Sequence, residues 1–286
     1  MKLVRYGAPG QERPGLIDAQ GTLRDLSAHV GDIDAGALVR AGRTRLAALD
    51  PASLPEVAGT PRYGAPVAHV GKMICVGLNY SDHAAETGAA IPEQPILFMK
   101  ATSAIMGPND DVIIPKDSVK TDWEVELGVV IGDTARHVRV EDALKHVAGY
   151  LVVNDLSERA FQLEHGGQWT KGKGCDTFGP IGPWLLTADE VADPQDLALW
   201  LEVNGHRYQH SSTANMIFGV AELVSYISRY MSLQPGDIIS TGTPPGVGLG
   251  QKPPVYLRPG DVMELGIAGL GRQRQRTVAY ADAGQP

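Results

Sequence analysis

The chain has 286 residues, is 43% hydrophobic and carries a formal net charge of −8. That apolar share can bury a substantial core, as one large domain or as one domain with a small appendage. The acidic balance argues against general affinity for nucleic acid or an anionic membrane, though not against a small anionic substrate held by a metal and a few lysines. No apolar stretch reaches membrane-spanning length, and Met1-Lys2-Leu3-Val4-Arg5-Tyr6 lacks a signal-peptide core. The two cysteines, Cys75 and Cys175, form no Cys-x-x-Cys pair, so a reducing, cytoplasmic setting is expected.

The 34 glycines and 20 prolines punctuate short apolar runs, which favours strands and turns over a helical bundle. Residues 1–70 read as a small N-terminal module. Within it, Lys2–Tyr6 and the stretch from Leu16 to Leu26 are short strands around an Ala19-Gln20-Gly21 turn. Ala35 to Leu49 has helical spacing, and Pro51 to Pro66 is a connection. Residues 71–286 then form the main domain. Its expected strands begin at Lys72 to Val76 and continue at Ile96–Lys100, Val112–Ile114, Trp123–Ile131, Gly149–Asn154 and Leu197–Val203. Asn204-Gly205 closes the last of these as a two-residue hairpin. The turns Pro235-Gly236-Asp237 and Pro259-Gly260-Asp261 launch Ile238–Ser240 and Val262–Leu265. Short helices are expected at Ser81 to Thr87, Val140 to Val147, Ser157 to Glu164 and Ile217 to Tyr230. The coarse reading is a β-rich α+β protein.

Chemistry concentrates first at Glu124 and Glu126, two residues apart in a run that otherwise reads as a buried strand. Strand side chains alternate, so both carboxylates point the same way. Like charges on an apolar face need a counter-charge, and a hard divalent cation is the natural one. Asp155, at the end of the strand Tyr150–Asn154, is either a third oxygen ligand or the N-cap of the following helix. Three carboxylates with water suit Mg²⁺ or Mn²⁺. Arg159, one helical turn on, is placed to hold a ligand carboxylate from behind. His83 and Glu86, spaced i and i+3, share a helix face on which Glu can orient His as a base, although spacing alone favours a surface pair. Lys173 lies between glycines in a loop, where its ammonium could meet an oxyanion. No phosphate-binding loop, dinucleotide fingerprint, serine-hydrolase elbow or zinc motif is present.

Together these segments resemble the fumarylacetoacetate hydrolase family. The similarity runs from about residue 72 to 280. It rests on Cys75-Val76-Gly77-Leu78-Asn79-Tyr80 with His83-Ala84-Ala85-Glu86, and on Trp123-Glu124-Val125-Glu126-Leu127. Further matches are Asn154-Asp155-Leu156-Ser157-Glu158-Arg159, Lys173 with Asp176-Thr177-Phe178-Gly179-Pro180, and Thr241-Gly242-Thr243-Pro244. The resemblance implies a mixed β-sandwich roll, a homodimer or higher homo-oligomer, and Mg²⁺ (or Mn²⁺ or Ca²⁺) held by Glu124, Glu126 and Asp155. Where one branch of the family carries a further carboxylate, this chain has Leu78-Asn79-Tyr80, which favours three ligands and Mg²⁺. The resemblance also implies a His83–Glu86 dyad on a lid, an active-site Lys173, and substrate contacts from Tyr80, Lys100, Gln162 and Thr243.

The full-length pattern is similar to that of bacterial 2,4-diketo-3-deoxy-L-rhamnonate or L-fuconate hydrolases, enzymes that cleave carbon–carbon bonds in ketonic substances. On that reading His83 activates a water that attacks C4 of a 2,4-diketo acid, and Lys173 with Thr243 stabilises the oxyanion. The products are pyruvate and a hydroxy acid such as lactate. Decarboxylation or isomerisation of an oxaloacetate- or hydroxymuconate-like diacid is the alternative within the same site. A non-catalytic metal or 2-oxo-acid binding protein is the alternative from another class.

Overall fold

The structure is a computed structural model and describes residues 1–82 and 90–283. Two stretches of sequence organise it, Val125–Ile131 and Val147–Asn154, and both are buried along their whole length. A strand apolar on both faces must be covered on both sides. These two are accordingly the middle of a ten-stranded sheet. Across that sheet the order is β3 (Leu23–Asp25), β2 (Arg13–Ile17), β1 (Lys2–Tyr6), β12 (Gly179–Thr187), β10 (Val147–Asn154), β9 (Val125–Ile131), β15 (Ile238–Ser240), β4 (Met73–Gly77) and β5 (Ile96–Lys100). β6 (Ile105–Met106) pairs onto β12.

The period of two divides the central side chains between two cores. Val125, Leu127, Val129 and Ile131 enter one core, which a second sheet closes. That sheet runs β14 (His206–Ser212), β13 (Ala198–Val203), β16 (Val262–Ile267), β17 (Gly271–Ala279) and β7 (Val112–Ile114). The helix Val220–Ile227 packs into the same core. Val130, Leu151, Val153 and Met73 enter the other core, covered by Leu26, Ile33, Leu38 and Leu46 of the N-terminal residues. The fold is thus β-rich α+β, with mixed sheets packed face to face. A ribbon of β8 (Thr121–Asp122) and β11 (Ser157–Glu158) lies beside the sheets. Among the described residues no helix is long and apolar enough to cross a membrane.

Residues 1–70 join this architecture through backbone pairing: β1 pairs with β12 at Lys2↔Leu186 and Leu3↔Leu185. The helical stretch expected from Ala35 to Leu49 is two helices, Ala35–Leu38 and Arg40–Ala47, broken at Val39 (ψ 156°). Ser157 to Glu164, expected as one helix, opens instead as strand β11 and becomes helical only over Arg159–Leu163. The hairpin at Asn204-Gly205 has both residues at positive φ (51° and 78°), as a primed turn requires. β12 and β17 are among the strands that the sequence pattern did not announce. Pro180, Gly182 and Pro183 interrupt any alternation in β12, yet the segment lies between β1 and β10. The β10–β12 register shifts between Tyr150↔Leu186 and Val152↔Gly182, leaving residues 183–185 of β12 against Leu151 alone, and Pro183 has no N–H to give the ladder there.

Candidate active site

Glu124 stands just ahead of β9 and Glu126 within it. The Asp155 N–H donates to the Glu124 carbonyl at 2.9 Å, so the β9–β10 ladder, which pairs Val125 with Asn154, extends to set Asp155 beside Glu124. One oxygen from each of Glu124, Glu126 and Asp155 lies within 4.8 Å of the others, and all three residues are buried. Glu126 Oε2 accepts hydrogen bonds from Ser240 Oγ at 2.6 Å and the Gly242 N–H at 2.9 Å. Gly242 is at φ 99°, and a Cβ there would stand 2.8 Å from Asn79 Cβ, so only glycine brings its N–H to Glu126 without strain.

Three buried cations surround the cluster. Lys173 Nζ bridges Glu124 Oε2 (2.7 Å) and Asp155 Oδ2 (2.8 Å). Lys100 Nζ donates to Asp155 Oδ1 (2.6 Å) and the Leu156 carbonyl (2.9 Å). Arg159 spends its whole fork here: Nη2 on Glu124 Oε1 (2.7 Å), Nε on Asp122 Oδ2 (2.8 Å), Nη1 on Gln162 Oε1 (3.1 Å). Among the described residues no cation bonds to Glu126.

The electrostatics follow from that layout. Burial pushes the Glu126 carboxyl up, and the Asp155 and Glu124 carboxylates add to the rise, leaving it well above the ordinary range. Burial would raise Glu124 too, but the Lys173 and Arg159 charges outweigh it and bring it down to about 2. Burial works against the Lys173 ammonium, yet Asp155 and Glu124 hold its pKa above the usual lysine value. Lys173 is therefore a standing cation and a hydrogen-bond donor. Three converging carboxylate oxygens, one of them short of positive charge, fit a hard divalent cation.

A cavity of about 300 Å³ opens onto the cluster. Glu124, Glu126, Arg159, Gln162, Lys173 and Thr243 line it together with the apolar Leu78, Phe98, Leu163, Trp169, Val247 and Leu249, and Lys173 Nζ lies 5.2 Å over the Phe98 ring. Several expectations change here. Lys173 is not on a loop but ends the short helix Thr170–Lys173. Lys100, expected to touch substrate, is not in the lining, because the Asp155 carboxylate holds it behind the cluster. Tyr80, also expected as a contact, is fully buried outside the lining, and its hydroxyl has no hydrogen-bond partner among the described residues. Thr243 lines the cavity, but its hydroxyl donates to the Val125 carbonyl (3.0 Å) and accepts from Gln209 Nε2 (2.8 Å). It thus turns a lone pair, not a proton, to the cavity and is unsuited to steady an oxyanion. The N-cap alternative for Asp155 is taken by Glu158, which accepts from the Ala160 N–H at 3.2 Å. His83 and Glu86 lie outside the described residues. The chain leading to them is tied down where Ser211 Oγ donates to Asp82 Oδ2 at 2.6 Å.

Two contributors were not anticipated. Asp122 anchors Arg159 and accepts from the N–H groups of Gly248 (2.6 Å) and Leu249 (2.9 Å), fixing the loop that forms one cavity wall. Its signal was present, since Asp122 continues the alternation of Glu124 and Glu126. Gln209, on β14, accepts from the Val125 N–H (2.9 Å) and donates to Thr243 and to the Pro244 carbonyl (2.9 Å). Nothing local in the sequence marks it.

The family description fumarylacetoacetate (FAA) hydrolase C-terminal matches residues 72–278. Among solved structures, a fumarylacetoacetate hydrolase from Exiguobacterium antarcticum is 38% identical with a TM-score of 0.88, covering 98% of this chain and 99% of its own. Maleylpyruvate hydrolase from Sphingobium sp., solved with manganese(II) and pyruvate, is 30% identical with a TM-score of 0.81, covering 98% and 99%. A 5-carboxymethyl-2-hydroxymuconate delta-isomerase from Mycobacterium smegmatis is 31% identical with a TM-score of 0.76, covering 100% of both chains.

Proposed function

Because the chain belongs to the fumarylacetoacetate hydrolase family, we propose that it is a metal-dependent hydrolase of acylpyruvates, releasing pyruvate and a carboxylic acid. The buried Glu124–Glu126–Asp155 cluster at the end of a cavity carries this reading, supported by the manganese and pyruvate bound to the Sphingobium enzyme. Glu124, Glu126 and Asp155 would hold Mg²⁺ or Mn²⁺. A divalent cation there supplies Lewis-acid polarisation of a 2-oxo carbonyl and neutralises charge on the leaving group.

The chain's own residues do the rest. Arg159 and Lys173 keep Glu124 ionised and oriented, and Lys100 does the same for Asp155. The Lys173 ammonium, kept protonated by those carboxylates, can share a donor with the oxygen that becomes negative when water adds to the acyl carbonyl. We assign His83, three residues before Glu86, as the base that takes the proton from that water and returns it to the departing C3 carbon. Water thereby adds across the C3–C4 bond: hydroxide ends on the acid, the proton on the pyruvate methyl group. A lactoyl substrate, as in 2,4-diketo-3-deoxy-L-rhamnonate, is the specific form we favour. Residues 71–286 would carry the chemistry, with 1–70 as a supporting module.

The test is incubation with Mn²⁺ or Mg²⁺ and acylpyruvates, oxaloacetate or sugar-derived diketo acids, reading pyruvate, the acid product and carbon dioxide, with EDTA as control. Hydrolysis gives pyruvate and acid in equal amounts without carbon dioxide. Carbon dioxide from oxaloacetate with no acid from any acylpyruvate would replace hydrolysis with decarboxylation. His83→Ala should lower turnover by roughly 10²–10⁴-fold while leaving Mn²⁺ binding intact.

A further inference from the structure

Strand β17 buries amides where its neighbour buries apolar side chains. Gln273, Gln275 and Thr277 are buried and alternate with the exposed Arg272, Arg274 and Arg276. Across the ladder the two glutamines stand opposite Leu265 and Met263 of β16, both core residues. A buried amide without partners is costly, and these two are bonded at oxygen and nitrogen alike.

The bonds have a direction. Gln273 Nε2 donates to the carbonyls of Val152 (2.8 Å) and Gly182 (3.1 Å), where the β10–β12 register shifts. Carbonyls only accept, so that end is the nitrogen, and Gln273 Oε1 faces Gln275. Gln275 Nε2 donates to Gln273 Oε1 at 2.8 Å and to the Pro108 carbonyl. Gln275 Oε1 is left to accept from Asn154 Nδ2 at 3.1 Å. Asn154 is thereby turned with Oδ1 toward the Glu124 N–H, 3.3 Å away. Reversing any one of the three amides would set two acceptors or two donors face to face.

This row of amides ends between two of the three clustered carboxylates. Asn154 immediately precedes Asp155 and stands opposite Val125 in the ladder, and its side chain reaches Glu124. Glu126 is held separately, by Ser240 and the Gly242 N–H. None of the three amides carries charge, so they do not offset the repulsion among the carboxylates. What they fix is where the Glu124 backbone stands relative to Asp155.

We propose that the Asn154 amide, oriented by Gln275, is the positioning element of the cation site, setting the spacing of Glu124 and Asp155 that a divalent cation requires. The proposal rests on the reading of Glu124, Glu126 and Asp155 as cation ligands. Groups that hold metal ligands in place without touching the metal are typically worth ten- to a hundredfold in affinity.

The experiment measures Mn²⁺ affinity by titration calorimetry, and Tm by calorimetric melting, for wild type, Asn154→Ser, Gln275→Met, the double variant and Thr277→Val. Thr277 shares the buried side of β17, but its hydroxyl bonds the Arg258 and Asp261 carbonyls and no part of the row of amides. Thr277→Val should therefore lose stability and keep wild-type affinity. Asn154→Ser and Gln275→Met should each bind Mn²⁺ about tenfold or more weakly at temperatures where they are folded, with an altered EPR spectrum of the bound ion. Because Gln275 acts through Asn154, the double variant should lose no more affinity than Asn154→Ser alone. Wild-type affinity in both single variants, with only Tm lowered, would overturn the proposal and leave the cation reading standing. Additive losses in the double variant would overturn the part given to Gln275. If Gln275→Met does not fold, unchanged affinity in Asn154→Ser is by itself enough to overturn the proposal. A wild type that takes up no Mn²⁺ would overturn the cation reading and the proposal with it.

Discussion

Glu126→Gln separates what the carboxylate cluster costs the fold from what it does for a cation. At an effective dielectric near 20, two unit charges 4.8 Å apart repel by about 3.5 kcal/mol. Burial raises the Glu126 carboxyl well above the ordinary 4.5, and Asp155 and Glu124, which it faces at about that range, raise it further. In the metal-free protein the folded state therefore keeps a proton that the unfolded chain releases above pH 4.5. Its stability contribution is intact below 4.5 and falls as pH rises toward the raised folded value. Glutamine has the shape of the protonated acid, its oxygen can still accept from Ser240 and Gly242, and its amide can donate to the neighbouring carboxylates. Metal-free Glu126→Gln should then be more stable than wild type at pH 7, by about 2 °C in Tm for each kcal/mol of repulsion relieved, with the gain shrinking as pH falls to 4.5. Mn²⁺ should show the reverse. Saturation at a hundred times Kd stabilises wild type by about 2.7 kcal/mol, whereas a hundredfold loss of affinity leaves the variant less than about 0.5 kcal/mol. Calorimetric melting of both proteins, with and without Mn²⁺, measures all four states. A metal-free variant less stable than wild type, or one that gains as much from Mn²⁺, would refute the assignment of Glu126 as a crowded ligand.

The other expectations follow from the same contacts. Metal uptake must expel the Glu126 proton, so Mn²⁺ affinity should weaken as pH falls, and titration calorimetry in buffers of different ionisation enthalpy should detect proton release; buffer-independent heats would contradict this. Lys100→Met leaves the buried Asp155 Oδ1 and the Leu156 carbonyl without their donor. It should cost about 3–5 kcal/mol in urea unfolding of the metal-free protein, and a loss below about 1 kcal/mol would mean the pair is solvated. Gly77→Ala drives a methyl group to 2.7 Å from the Trp169 ring, so kcat/KM for acylpyruvates should fall by roughly ten- to a hundredfold, with KM carrying most of the change. Unaltered kinetics there would show that Trp169 does not shape the bound acyl group.

Strand periodicity alone placed Glu124 and Glu126 on one side, because the pleat alternates side chains whatever the fold around them. Turn chemistry likewise announced the Asn204-Gly205 hairpin, since positive φ at two successive residues is a local steric matter. Local sequence did not tell Lys100 from Lys173. Each lies beside apolar or small residues, and only the packing of β5 and the helix Thr170–Lys173 around Asp155 sets one behind the cluster and the other between two of its carboxylates. β12 escaped notice for the same kind of reason. Its prolines and glycine deny it a pattern, and it is a strand because β1 and β10 bond to it from either side. Gln209 reaches Thr243 and the β9 backbone only because two sheets pack face to face. The sequence by itself determined which acids share a face and thus that a positive charge must be found for them. Which cations answer, which hydroxyl has a proton to spare and which wall a substrate meets depend on residues tens of positions apart, and those are brought into contact only when both cores close.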